Sequence, residues 1–124
     1  SVFIAGEGTG IGNGILTGRA VFTMSDIIEC RQKYPDEQII LVRPDTVSDD
    51  IDMIFEADGL LTSRGGATSH AAVTAVRLGK TGIVNCKSLQ LYENLKTFSI
   101  NGFSLRVLDK ITIDGKRGFI YFPK

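Results

Sequence analysis

The chain has one histidine, His70, and it closes the run Arg64-Gly65-Gly66-Ala67-Thr68-Ser69-His70. A lone imidazole can ligate a metal, move a proton or act as a nucleophile, and the neighbouring residue types narrow that choice. Zinc wants three or four nitrogen or sulfur ligands gathered in one place. The two cysteines, Cys30 and Cys86, are far apart and show no CxxC spacing, so no ligand cluster forms around His70. Serine-hydrolase chemistry is also disfavoured, because there is no second histidine to act as base and GxSxG does not occur. A nucleophilic imidazole fits better. Thr68 or Ser69 can cap a helix that places His70 in its first turn. There the free backbone N–H groups and the positive dipole end favour an anion over a cation. A neutral ring nitrogen could take a phosphoryl group, whose negative charge would then meet the same dipole and the Thr68 and Ser69 hydroxyls. A helix-capping histidine with no chemistry fits the same residues, and residue physics by itself leaves both readings open.

Two other stretches imitate phosphate loops and fail on spacing. Gly6, Gly8, Gly10, Gly12 and Gly14 crowd the start, but the dinucleotide fingerprint needs glycines at i, i+2 and i+5. The i+5 positions fall on Ile11, Asn13 and Ile15, so an irregular leading segment with positive-φ glycines is expected. Gly79-Lys80-Thr81 resembles the end of GxxxxGKT, yet the first glycine would have to be residue 74, which is Thr74. A helix stop at Gly79, with Lys80 near the carbonyl end, is the expected structure.

The elements that must position His70 follow from hydrophobic spacing. Ile15–Phe22 reads as a strand with a possible bulge at Gly18. Ser25 is expected to cap a helix carrying Asp26, Ile27, Glu29, Cys30 and Tyr34, which Pro35 stops. Gln38–Val42 is a buried strand ended by Arg43-Pro44. Ser48 is expected to cap a second helix with Asp49 and Asp50 in its first turn and Ile51, Ile54 and Phe55 as its apolar stripe. A strand through Leu61 then completes a right-handed βαβ unit. The Gly65-Gly66 loop leaves this strand where open α/β sheets hold their ligands, beyond the carboxyl edge. Lys87–Lys96 reads as a short helix or loop. From Thr97 on, turn signals at Asn101-Gly102, Asp109-Lys110 and Asp114–Gly118 predict two or three antiparallel strands. The expectation is one α/β domain over residues 1–124, a mainly parallel sheet with helices plus an antiparallel β layer.

At 124 residues with 43% hydrophobic and 23% charged residues, the chain can bury a core as one domain. Fourteen basic residues balance fourteen acidic ones, so charge argues for neither nucleic acid nor an anionic membrane. Apolar runs are strand-sized, too short to span a bilayer, and the start lacks the pattern of a secretory signal. Cys30 and Cys86 read as reduced apolar residues of a cytoplasmic protein.

Gly59–Val73 (GLLTSRGGATSHAAV) resembles the phosphohistidine motif of the mobile, or swivelling, domain of the phosphoenolpyruvate-utilising enzymes. The resemblance covers nearly the whole chain: Gly10–Phe22 (GIGNGILTGRAVF) resembles the family's first strand, 40–66 the approach to the histidine, and Thr112–Tyr121 (TIDGKRGFIY) the closing hairpin. Within the family, LLTSRGG and Ser69 most resemble the pyruvate phosphate dikinase branch, since the synthase branch tends to have cysteine beside the histidine. The chain has Val76, then Arg77, where the family usually has arginine six residues after the histidine, and Thr81 where it usually has proline.

The resemblance implies a swivelling β/β/α fold and a phosphoryl carrier. His70 would hold the phosphoryl group, and Thr68 would support it and serve as a regulatory site. Ser69, Arg64, Gly65 and Gly66 would complete the loop. Arg77 reads as a solvated or structural arginine. It further implies an ATP-grasp nucleotide-binding domain and a phosphoenolpyruvate/pyruvate-binding barrel as partners. Mg2+ and ATP would be held there, with no metal or cofactor in this domain. The Ser1 start and the single-domain length suggest a piece of a larger enzyme. The alternatives are a synthase or sugar-phosphotransferase-system branch, or a non-catalytic regulatory domain of the same fold.

Overall fold

The computed structural model describes residues 2–123. Its strands and helices, in chain order, begin with β1 (Val2–Glu7), β2 (Thr9–Ile11), β3 (Ile15–Val21), α1 (Met24–Lys33) and β4 (Gln38–Arg43). They continue with α2 (Ile51–Glu56), β5 (Gly59–Thr62), α3 (His70–Arg77) and β6 (Thr81–Val84). The last five are β7 (Leu89–Tyr92), β8 (Thr97–Ile100), β9 (Phe103–Arg106), β10 (Lys110–Asp114) and β11 (Phe119–Pro123). Eight strands form one sheet in the order β1-β11-β10-β3-β4-β5-β6-β2, and β7-β8-β9 form a separate antiparallel meander. Within the large sheet β3, β4, β5 and β6 are parallel, while the outer strands pair antiparallel.

The result is three layers: meander, sheet, helices. The run Ile39–Val42 shows why the central strands are apolar at every position. Ile40 and Val42 enter the core beneath the meander, with Phe22, Phe98 and Phe122. Ile39 and Leu41 enter the core beneath the helices, with Ile27, Ile54 and Ala71. A strand covered on both faces has no polar side to alternate with. Phe98 meets Phe22 and Phe122 edge-on at centroid distances of 6.0 and 6.4 Å. Truncating such a ring costs about 3–5 kcal/mol.

Several expectations are corrected. The glycine-rich start is not irregular but forms β1 and β2, which close the two edges of the sheet. Of its five glycines only Gly12 has positive φ. Gly10 is required instead by close approach, since a Cβ there would strike the Gly115 carbonyl, where β2 crosses the β10–β11 turn. Gly18 makes no bulge; β3 keeps register through it with both β10 and β4. The α1 cap is Thr23 rather than Ser25: its hydroxyl accepts from Asp26 N, and Asp26 accepts from Thr23 N in return. A capping box satisfies two orphan donors where a lone cap at Ser25 satisfies one. Ser48 caps nothing, because it lies inside a 3-10 turn, Ser48–Asp50, whose Asp50 carboxylate accepts from Val47 N. Of the expected α2 stripe only Ile54 is buried, while Ile51 and Phe55 face outward. The region 87–96 contains β7 before a 3-10 turn, and four strands, not two or three, follow Thr97.

Other expectations stand. Gly79 has φ +68° and ends α3 as anticipated. Lys80, however, donates from Nζ to the carbonyl of Phe55, so it serves the C-terminus of α2 at 2.9 Å. Cys30 and Cys86 are free, buried thiols in opposite layers, and burial pushes both up from the ordinary thiol range. No described helix is long and apolar enough to cross a membrane.

Candidate functional site

Parallel pairing brings the ends of β4, β5 and β6 to one edge of the sheet, with Arg43 opposite Thr62 and Leu61 opposite Ile83. The loops that follow are tied together through backbone groups. Arg64 N and Ser63 Oγ both donate to the Pro44 carbonyl at 3.0 Å. The Arg64 carbonyl accepts from Thr62 Oγ1 at 2.8 Å and from Asn85 N at 3.3 Å. Cys86 N donates to the Thr62 carbonyl at 3.0 Å. Arg64 therefore works through its main chain, as the knot joining three loops, while the residue as a whole is exposed.

The turn into α3 comes next. Ser69 N donates to the Gly66 carbonyl at 3.0 Å, closing the turn Gly66–Ser69 with Thr68 exposed at its outer corner. Ser69 is the N-cap, its hydroxyl accepting from Ala72 N at 3.2 Å. Gly65 has φ +94°, and a Cβ there would lie 2.8 Å from the Ser69 side chain. Only glycine meets both demands. Gly66 has open space where a Cβ would go, so packing there does not demand glycine.

His70 is the first residue of α3, exposed, with a hydroxyl at each ring nitrogen. Thr46 Oγ1 lies 3.1 Å from Nδ1, and Thr74 Oγ1 lies 3.4 Å from Nε2. Both threonines are buried, so both hydroxyls are held in place beneath an accessible ring. In a neutral imidazole one nitrogen donates and the other accepts, and threonine hydroxyls can answer either role. The first turn of α3 contains no acidic residue, whereas α1 has Asp26 there.

The expected site residues thus divide. Arg64, Gly65, Ser69 and His70 come together in one anchored loop and cap. Thr68 stands in that loop but turns outward, and the hydroxyls at the ring are those of Thr46 and Thr74. Sequence reading missed both. Thr74 was legible in principle, since i+4 on a helix shares a face with i. Thr46 was not, because the contact spans 24 residues and depends on β4 and β5 being neighbours. Arg77 is exposed in the last turn of α3, near that helix's own carbonyl end. Among the described residues no group of three His, Cys, Asp or Glu side chains could hold a metal ion.

The neighbouring α1 N-terminus is more heavily tied. Asp26 accepts from Phe22 N and Thr23 N and from Lys96 Nζ at 2.8 Å. Burial works against its charge, but the Lys96 and backbone hydrogen bonds outweigh burial and hold the carboxyl below its ordinary range. The 3-10 turn Glu93–Leu95 is pinned nearby, with Arg43 Nη1 on Glu93 Oε1 at 2.6 Å.

Comparison with known proteins bears on this edge directly. The family described as "PEP-utilising enzyme, mobile domain" matches residues 35–118, more than half of the chain and the whole of the His70 loop. The chain is 38% identical over 108 residues to pyruvate, phosphate dikinase of Clostridium symbiosum, which covers 87% of it. It is 35% identical over the same length to the Entamoeba histolytica enzyme, and 32% identical over 121 residues to the chloroplastic dikinase 1 of Arabidopsis thaliana, covering 98%. In each case the chain spans only 12% of the relative's length. A three-layer fold, an anchored glycine loop and a match across the loop's full length lead to one assignment: the chain belongs to the mobile-domain family of phosphoenolpyruvate-utilising enzymes.

Proposed function

We propose that this domain is the phosphoryl carrier of a pyruvate phosphate dikinase-like phosphotransferase, with His70 as the residue that takes and gives up the phosphoryl group. The observation that carries this reading is the ring's setting, exposed at the acid-free N-terminus of α3 with a hydroxyl at each nitrogen. With the proton on Nδ1, that N–H donates to Thr46 Oγ1, and Nε2 gives up its long 3.4 Å contact with Thr74 Oγ1 to present its lone pair to the incoming phosphorus. Nε2 attacks the phosphorus of phosphoenolpyruvate as the P–O bond breaks. The electron pair leaves with the enolate of pyruvate, which takes a proton at carbon. The new phosphoryl oxygens meet the N-terminal dipole of α3. In transfer onward, an acceptor oxygen forms the new O–P bond as the N–P bond breaks, and the electron pair of that bond returns to Nε2.

Phosphoenolpyruvate/pyruvate and ATP with Mg2+ would be held by a barrel domain and an ATP-grasp domain, in the same polypeptide or a partner. The dikinase names of the relatives support that division of labour, as does a chain covering 12% of their length. Val2 pairs with Pro123 on adjacent strands, so chain attached at both ends would leave from one corner and allow a swivel. The buried free thiols suit a reducing, cytoplasmic setting. Thr68 is the regulatory candidate: its phosphorylation would place about −1.5 to −2 charges two residues before His70 and repel an incoming phosphoryl group.

The test is labelling with 32P-phosphoenolpyruvate in the polypeptide that carries this domain. One acid-labile, base-stable phosphate per domain, mapped to His70 and absent in His70→Ala, is expected. A stable adduct elsewhere, or no label in the parent protein, would refute the reading.

A further inference from the structure

Arg43 is the last residue of β4, with a side chain 22% exposed. Its Nη1 donates to Glu93 Oε1 at 2.6 Å, while its Nε is shut off from solvent with no hydrogen-bond partner. No other buried side-chain nitrogen or oxygen among the described residues is left this way. Stability does not account for the arrangement. An ion pair whose acid is 51% exposed contributes little, and a buried donor without an acceptor is a cost. A methionine would fill similar space and remove the charge, a replacement that is often neutral or stabilising.

The place of the guanidinium in the chain points to geometry instead. The β4 ladder reaches Arg43, opposite Thr62, and Pro44 has no N–H with which to continue it. Two residues further on, Thr46 N donates to the carboxylate of its own neighbour Asp45, a bond that travels with the loop. Thr46 must nonetheless keep Oγ1 3.1 Å from His70 Nδ1. The contact with Glu93 ties the base of this loop to the 3-10 turn Glu93–Leu95, which follows β7 of the separate meander. A planar guanidinium fixes direction as well as distance, which a lysine ammonium does not.

We propose that Arg43 is a positioning residue for His70: its pair with Glu93 braces the end of β4, which keeps Thr46 Oγ1 at Nδ1 and the ring proton on Nδ1. The effect on phosphoryl transfer rests on the carrier reading, whereas the effect on the ring does not. The meander supplies neither hydroxyl at the ring, yet through Glu93 it sets which nitrogen is the nucleophile.

The experiment uses Arg43→Met and Glu93→Ala, with Lys96→Met as a control that breaks the other ion pair beside the same turn. The chain has one histidine, so its imidazole 15N resonances report the tautomer directly, at a pH that keeps the ring neutral. In the wild type the proton is expected on Nδ1. In Arg43→Met and Glu93→Ala it should shift toward the distribution of a free histidine side chain. Labelling from phosphoenolpyruvate, in the polypeptide that carries this domain, should slow by about tenfold, within what a small misplacement of a reacting group costs. The double variant should be no slower than either single one. The urea midpoint of Arg43→Met should be unchanged or higher, and Lys96→Met should keep the wild-type tautomer and rate. A wild-type tautomer and rate in Arg43→Met would overturn the proposal. So would a slowing matched by lost urea stability in both variants, or an equal slowing in Lys96→Met. A wild-type protein that takes no label, while the 15N signature still moves in Arg43→Met, would remove the carrier reading and uphold the brace on Thr46.

Discussion

Helices α1 and α3 sit on the same face of one sheet, and each starts just beyond a parallel strand, yet their N-termini are finished in opposite ways. At α1 a capping box, two further backbone donors and Lys96 converge on Asp26, so the dipole already has its anion. At α3 Ser69 supplies a single cap, no acid stands in the first turn, and the residue there is an exposed histidine. A satisfied terminus stabilises the resting fold. An unsatisfied one keeps its favourable field for an anion that comes and goes. The same contrast separates their anchors: Asp26 is buried and charge-paired, while the hydrogen-bond partners of the His70 ring among the described residues are the neutral hydroxyls of Thr46 and Thr74.

Replacing Thr46 by Val should test the α3 side most severely short of removing the histidine. Losing the buried partner of Nδ1 frees the ring to turn and should slow labelling from phosphoenolpyruvate by about 10–100-fold, as loss of an orienting neighbour typically does. Thr74→Val, at the longer contact, should cost less. If the two variants behave alike in rapid-quench kinetics, the ring is not held as described.

Supplying α3 with the anion that α1 already has is a sharper version of the comparison. Thr68→Asp should raise thermal stability slightly, by about 0.3–1 kcal/mol from the dipole. It should slow phosphorylation of His70 by roughly three- to tenfold through like-charge repulsion. Stability and activity moving in the same direction would contradict the reasoning.

The complementary change at α1 is Asp26→Asn, expected to lose about 1–2 kcal/mol of stability through the box and the Lys96 pair. Labelling should stay unchanged. Because the folded Asp26 carboxyl lies below its ordinary value of 3.8, its contribution is fully present above that pH and fades as pH falls through the folded value. Urea titrations of the two proteins should therefore differ at pH 6 and converge under strongly acidic conditions. A gap that persists in acid would mean the effect is shape and not charge.

Much of this was legible beforehand because it is local. The doubly apolar run Ile39–Val42, the Gly79 stop and the placement of His70 at a loop-to-helix junction each depend on a few neighbouring residues. The failures were local competitions decided by small energies, as when the reciprocal bonding of Thr23 and Asp26 displaced Ser25 as the cap. Others were non-local from the outset. The opening glycines became edge strands because Gly10 must pass the Gly115 carbonyl, a partner over a hundred residues away. Phe55 and Ile51 had the spacing of a buried stripe, but α2 is under two turns long and packs on the sheet through Ile54, with Met53 half-buried beside it.

The sequence by itself therefore determined the motif, the layered α/β class and the placement of the one histidine at a loop-to-helix junction, since those are written in composition and short-range spacing. Only the tertiary structure decided how that residue is held. Thr46 reaches His70 because parallel pairing sets the end of β4 beside the end of β5, and chain distance carries no record of that adjacency. The exposure of Ile51 and Phe55 on α2 is likewise a tertiary fact, because spacing marks a face as apolar while packing alone decides whether anything covers it.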